Sequence, residues 1–182
     1  MKLIHYLPVL FFVFMVSQNL SGQEEPQSGT IITEFGATYP VPAPDLVTNR
    51  SLDFFAVFDV SKAPEDPAVV NPYINTVARF LNMHDRAGIS NEQLKAALVL
   101  HGPAAYGVLN HEEYRKRYGV DNPNLELLQA LHQAEVPVIL CGQTASSRGI
   151  APNHRLDEVQ IALSAMTALI QLQKEGYTLI SF

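Results

Sequence analysis

Short, almost wholly apolar runs recur along this chain with amphipathic helical patterns between them, and that alternation leaves few folds open. Phe54 to Val60, Ala96 to Leu100 and Val136 to Leu140 have the continuous Val/Ile/Leu/Phe character of strands buried on both faces. Val159, Ile161 and Leu163 alternate with Gln160 and Ala162 as a fourth strand, and Tyr177 to Phe182 reads as a fifth. Between the first two runs, Ile74, Val77, Ala78 and Leu81 repeat at i, i+3, i+4 and i+7, a helix ending near Gly88. Asp66-Pro67 and Asn71-Pro72 each have the form of an N-cap with proline at the first helical position. Asn110 to Glu113 resembles a capping box with Gly119 as the stop, and Asn122-Pro123 opens a helix carrying Leu127, Leu128 and Leu131. Ser164 caps a last helix through Met166, Leu169, Ile170 and Gln173, stopping at Gly176. Strands separated by helices pair in parallel, so the expectation is an α/β domain with helices on both faces of one sheet.

The domain begins at Asp53, and two different segments precede it. Residues 1–22 read as an export signal: Lys2 supplies the positive end, and Leu7 to Val16 is apolar except for Pro8. A polar stretch from Ser17 then offers cleavage after Gly22. The apolar run is too short for a comfortable membrane span, so the mature protein is expected to be periplasmic or secreted, with an uncleaved anchor as the alternative. Residues 23–52 form a tether and a strap. Gln23 to Gly29 has the composition of a disordered segment, and Thr30 to Phe35 that of an edge strand or packing arm. Tyr39-Pro-Val-Pro-Ala-Pro44 must be extended, because alternate prolines fix φ and remove backbone donors. Such a segment is read as a strap lying across its own domain rather than as a ligand for a partner.

Charge excludes some partners. With 12 Lys and Arg against 18 Asp and Glu the formal charge is −6, and losing Lys2 makes it one unit more negative. Nucleic acid and anionic membrane surfaces both demand a basic face, so neither is expected. No second cysteine exists to form an intrachain disulfide. In an exported protein the lone thiol must therefore be buried, capped or paired with another molecule.

That cysteine, Cys141, closes the Val136–Leu140 run and opens a Gly142-Gln143-Thr144 turn. The carboxyl end of a buried parallel strand is where open α/β sheets place their ligand crevices. A helix starting at Gln143 or Thr144 would bring partial positive charge to the sulfur, and a nearby cation would lower the thiol pKa further. His101, at the end of the second strand, is the candidate for that cation or for a general base. Gln143 and Thr144 share the cysteine's strand end, Asp59 and Ser61 and Ser164 occupy others, and all could line the same crevice. Each has a plainer reading. Cys141 could be a small buried hydrophobe, and His101 a turn-capping residue.

Other chemistries find no support. One cysteine and scattered histidines without ligand spacing do not make a zinc site. His84, His111, His132 and His154 fall in helical or loop patterns and read as solvated. There is no glycine-rich dinucleotide or phosphate loop, no carboxylate pair for hydrolysis, and hence no cofactor to expect. Arg115-Lys-Arg117, with Glu112 and Glu113 upstream, reads as a solvated face with i,i+4 pairing.

Leu100-His-Gly-Pro103, Cys141-Gly-Gln143 and the segment Ala162-Leu-Ser-Ala-Met-Thr-Ala-Leu169 with Gln173 and Gly176-Tyr177 together resemble the DsrE/DsrF-like (YchN-like) family. The resemblance runs from about Asp53 to Phe182. It implies a three-layer α/β/α sandwich on a five-stranded parallel sheet, to which the N-terminal strap is an addition. It also implies homo- or hetero-oligomers such as trimers and hexamers, and a cysteine, here Cys141, that carries a persulfide between a donor and an acceptor protein. His101 matches a recurrent position without a fixed role. The export signal departs from the family's cytoplasmic members. Two functions therefore stand: a sulfur carrier of the cell envelope using Cys141, or a non-catalytic oligomeric binding or scaffold module with a structural cysteine. For the oligomer, the apolar face Met166–Leu169–Ile170 and the terminal Phe182 are the expected contact surface.

Overall fold

In the computed structural model, which describes residues 24–182, the apolar runs become one five-stranded parallel sheet. The strands are β1 (Phe54–Val60), β2 (Leu94–Leu100), β3 (Val138–Cys141), β4 (Gln160–Ala162) and β5 (Thr178–Ser181), in the order β4-β3-β2-β1-β5. The register sets Phe54 against Leu94, Leu98 against Val138, Ile139 against Gln160 and Ala56 against Thr178. The helices are α1 (Pro72–Arg86), α2 (His111–Tyr118), α3 (Leu125–Gln133), α4 (Gly142–Arg148) and α5 (Ala165–Lys174).

From β1 to β4 the sheet grows toward one edge. The chain then crosses back to place β5 on the far side of β1. A right-handed crossover in the reverse direction must lie on the opposite face, and the core divides accordingly. Phe58, Val60, Leu98, Leu100 and Leu140 pack with Ile74, Val77 and Leu81 of α1 and with Leu127, Leu128 and Leu131 of α3. On the other face Val57, Ala97, Val99 and Cys141 meet Ala165, Ala168 and Leu172 of α5. The alternation of Val57 with Phe58, and of Val99 with Leu98 and Leu100, is the strand period of two expressed as two cores. The expected α/β/α sandwich is the observed fold.

Local chemistry departs from expectation in a few places. Asn71 caps α1 by accepting from Tyr73 N–H at 2.9 Å, with Pro72 at the first position. Asp66-Pro67 starts no helix; the Asp66 carboxylate accepts from Ala68 N–H at 2.8 Å and closes a turn. The third helix begins two residues later than Asn122-Pro123 suggests. Asn122 is used instead in a buried polar chain: its Oδ1 accepts from Asn124 N–H and side chain at 3.0 and 2.9 Å, and Asn124 Oδ1 accepts from Asn71 N–H at 2.8 Å. Asn122 also donates to the Gly107 and Leu109 carbonyls, so this chain ties together the loops at the carboxyl end of the sheet.

The export signal assigned to residues 1–22 lies outside the described residues. The disordered tether expected over Gln23 to Gly29 is overturned from Gln27 onward: Gln27 and Thr38 exchange backbone hydrogen bonds of 2.7 and 3.0 Å, and Arg86 donates to Ser28 O at 2.6 Å. Between them Thr30 to Phe35 forms a packing arm with no strand. Its Ile32 enters the core, and its backbone is satisfied by one fully buried side chain, Asn82 on α1. Asn82 Oδ1 accepts from Ile31 and Ile32 N–H, while its amide donates to the carbonyls of Ile32, Phe35 and Gly36. Gly36 has φ +65°, and a side chain there would collide with the α1 backbone at Ala78–Arg79, so only glycine lets the arm lie this close. The proline strap stands over the end of α1 and encloses a cavity of about 730 Å³ with Met83, His84 and Arg86. Asn82→Ala should strand several buried backbone groups of the arm, lowering stability by about 3 kcal/mol. Urea denaturation would measure the loss, and limited proteolysis should then cut between Gln27 and Thr38.

Candidate functional site

β3 and β4 are neighbours whose outgoing connections turn to opposite faces. Ala145 of α4 joins the α1/α3 core, whereas α5 covers the other side. Adjacent strand ends that diverge in this way form the crevice of an open α/β sheet. Cys141 is the last residue of β3 and the N-cap of α4, so the helix starts at Gly142, earlier than Gln143 or Thr144. A Cβ on Gly142 would lie 2.6 Å from the Ala162 carbonyl oxygen and 3.2 Å from that of Leu163. The glycine lets the two strand ends close together, which brings the first turn of α5 to the sulfur.

Two opposed effects act on the thiol. Cys141 is 5% exposed, and burial pushes its pKa up, since the charged form loses water. Against this, the Thr144 hydroxyl and the backbone N–H groups of Thr144, Ala165 and Gln143 favour the charged form, and together they hold the thiol below its ordinary value, although the sulfur makes no side-chain capping bond to α4. Gly102 N–H donates to the Thr144 oxygen at 3.4 Å, which leaves the hydroxyl proton for the sulfur. The helix-terminal field expected at Cys141 thus has a second source in α5, ten residues long, whose Ala165 no reading of the cysteine strand identifies.

His101 leaves β2 in extended conformation and makes no capping bond to the turn that follows it. Its Nε2 lies 2.8 Å from Asp59 Oδ1 at the end of β1, and both side chains are partly exposed. Strand alternation puts Asp59, His101 and Cys141 on the α5 face, two residues beyond Val57, Val99 and Ile139 respectively. The pairing of Leu100 with Leu140 sets His101 beside Cys141, on strands roughly 4.8 Å apart. Nε2 is committed to the carboxylate on the β1 side, which leaves Nδ1 as the ring nitrogen not engaged by Asp59.

The remaining strand-end residues divide. Gln143 is exposed and donates to Leu163 O at 3.3 Å, bridging the two strand ends. Ser164, 7% exposed, accepts from Thr167 N–H at 3.0 Å and serves as the N-cap of α5. Ser61 contributes its carbonyl to Ala104 N–H. Among the histidines read as solvated, His132 and His111 are exposed, the latter accepting from Asn122 N–H, whereas His84 is half-buried with Nδ1 2.8 Å from Phe80 O. Among the described residues, no group of three or more His, Cys, Asp or Glu side chains is placed to hold a metal ion.

A lowered thiol pKa sets the pH dependence. The alkylation rate of folded Cys141 should reach half its plateau at a lower pH than a small thiol does. Thr144→Val, which keeps the shape and removes the donor, should move that midpoint upward. The matching contribution to stability is complete above the unfolded thiol's value of 9.0 and is lost as pH falls through the lower folded one. Iodoacetamide kinetics across pH 5–10 would read the midpoint; an identical profile for wild type and variant would remove Thr144 from the site.

Comparison with known proteins places these features in a family. The model of the DsrE/DsrF-like family matches residues 55–182. Among curated proteins, none matches the sequence. Among solved structures, the chain is similar to the protein of unknown function MTH1491 from Methanobacterium thermoautotrophicum. Identity is 17%, the match covers 71% of this chain and 100% of that one, and the TM-score is 0.49.

Proposed function

Because this chain belongs to the DsrE/DsrF-like family, which is generally linked to sulfur relay, we propose that Cys141 carries sulfane sulfur as a persulfide. What supports this most is the place of Cys141 at the N-terminus of α4 and packed against the start of α5, where the Thr144 hydroxyl and nearby backbone N–H groups favour the thiolate despite burial. The thiolate attacks the outer sulfur of a donor persulfide. A Cys141 sulfur–sulfur bond forms, the donor's sulfur–sulfur bond breaks, and the donor leaves as its own thiolate with no net oxidation. His101, oriented by Asp59, takes the Cys141 proton before attack and returns it to the leaving thiolate. The same donors stabilise the bound persulfide anion until an acceptor thiolate removes its outer sulfur.

The burial of Cys141 favours a second reading, a non-catalytic oligomeric binding or scaffold module with a structural cysteine. Sulfur loading separates the two. Incubation with polysulfide should add sulfur in 32 Da steps seen by mass spectrometry, reversed by a reductant and abolished in Cys141→Ser. His101→Ala should slow loading several-fold without abolishing it, since the backbone donors remain. Loading no faster than that of a small thiol at equal thiolate fraction would leave the scaffold reading standing.

We further propose that the protein is exported and works as a homo-oligomer, as a trimer or hexamer. Leu163, Met166 and Ile170 are 73%, 72% and 60% exposed beside the Cys141 crevice, on β4's outgoing loop and the outer side of α5. A second copy seated there would bury that apolar surface. Phe182 is less available for such a contact, because its ring packs near Tyr73 and Phe58. Light scattering should give a multiple of the monomer mass, lowered by Met166→Asp with Ile170→Asp; a monomeric wild type would refute the assembly.

A further inference from the structure

Arg117 and Arg148 converge on a single tyrosine. The guanidinium carbon of Arg117 stands 3.6 Å from the Tyr106 ring centroid and that of Arg148 5.0 Å, while Arg148 also donates to the Tyr106 hydroxyl at 3.1 Å. Their cationic neighbours are neutralised locally. Arg115 pairs with Asp121, and Lys116 lies 2.7 Å from both Glu112 and Glu113. Among the described residues neither Arg117 nor Arg148 forms an ion pair, although acidic residues outnumber basic ones 18 to 12. The expected i,i+4 face therefore accounts for Lys116 and leaves Arg117 unexplained. Two like charges held beside one ring repel each other, and an anion between them removes that cost.

The space they border suits such an anion, because the one carboxylate in its lining, Glu113, is already paired with Lys116. It is a cleft of about 540 Å³ between α2, the Gly102–Val108 turn and the end of α4, within the roughly 300–1,000 Å³ of small-molecule sites. Leu109 and Ile150, both buried, give it an apolar floor, and Tyr106 and Tyr118 meet edge to face at 6.3 Å as a wall. We propose that this cleft binds a small organic oxyanion, its phosphate or sulfonate group clamped by Arg117 and Arg148 and its apolar body resting on Leu109 and Ile150. Guanidinium forks suit such groups because two parallel N–H donors match two oxygens. The site is separate from the sulfur. Arg148 ends the helix that Cys141 begins, roughly 10 Å away at 1.5 Å per residue.

Isothermal titration calorimetry on the mature chain, with phenyl phosphate, inorganic phosphate and benzyl alcohol as probes, tests the proposal. Phenyl phosphate should saturate one site per chain, inorganic phosphate should bind more weakly, and benzyl alcohol should not saturate over the same range. Arg117→Ala and Arg148→Ala should each weaken phenyl phosphate by about tenfold. Both arginines are exposed, so the variants should fold. Arg148→Lys, which keeps the charge and loses the fork, should recover only part of the affinity. Phenyl phosphate binding no tighter than benzyl alcohol, or unchanged in both alanine variants, would overturn the site. None of these readouts involves the Cys141 thiol, so this result and that of sulfur loading are independent.

Discussion

The candidate site depends on one reversal. The sheet grows toward one edge through β4 and then turns back, and the handedness of a parallel crossover sends α5 to the face that α1 and α3 leave open. Had the fifth strand continued in the first direction, the helix after β4 would have joined α1 and α3. The Cys141 sulfur would then have met donors from α4 alone. With the reversal, the sulfur sits under the first turn of one helix, on the residue from which another starts. Its chemistry follows from topology as much as from the cysteine itself: the fold buries the thiol, which disfavours the thiolate, and the same fold supplies the N–H groups that favour it.

Much of this architecture was legible in the sequence because its determinants are local. Apolar runs locate the strands, and Asn71, Asn110 and Ser164 cap the helices that their positions suggest. What failed was also local in form but decided elsewhere. Asp66-Pro67 has the same cap-and-proline form as Asn71-Pro72, yet only the second is followed by an apolar helical repeat, and the first closes a turn. The polar stretch that reads as a tether is ordered from Gln27 because Thr38 and Arg86, distant in sequence, bond the backbone of Gln27 and Ser28, and Asn82 does the same for the arm that follows.

The site was legible by the same measure. Cys141, His101 and Asp59 stand at strand ends, where a parallel sheet must gather them. The pairing of His101 with Asp59 depends on strand order and register, which no single segment encodes. The Ala165 N–H leaves no trace in composition, since any residue could supply it. Gly142 is the nearest thing to a signal: a residue with no side chain directly after the cysteine marks a place where another backbone passes close by. The buried chain Asn71–Asn124–Asn122 holds the loops of this rim with directional bonds, so they are set by hydrogen-bond geometry rather than by apolar packing alone.

The arm seated on Asn82 gives the molecule a polarity of attachment. It runs along α1, on the opposite side of the sheet from α5 and its exposed apolar residues. Gln27 and Ser28 therefore stand on one broad side of the domain, and the greasy surface beside the sulfur lies on the other. The arm covers the α1 side and leaves the α5 side bare, so the two surfaces do not compete for the same ground.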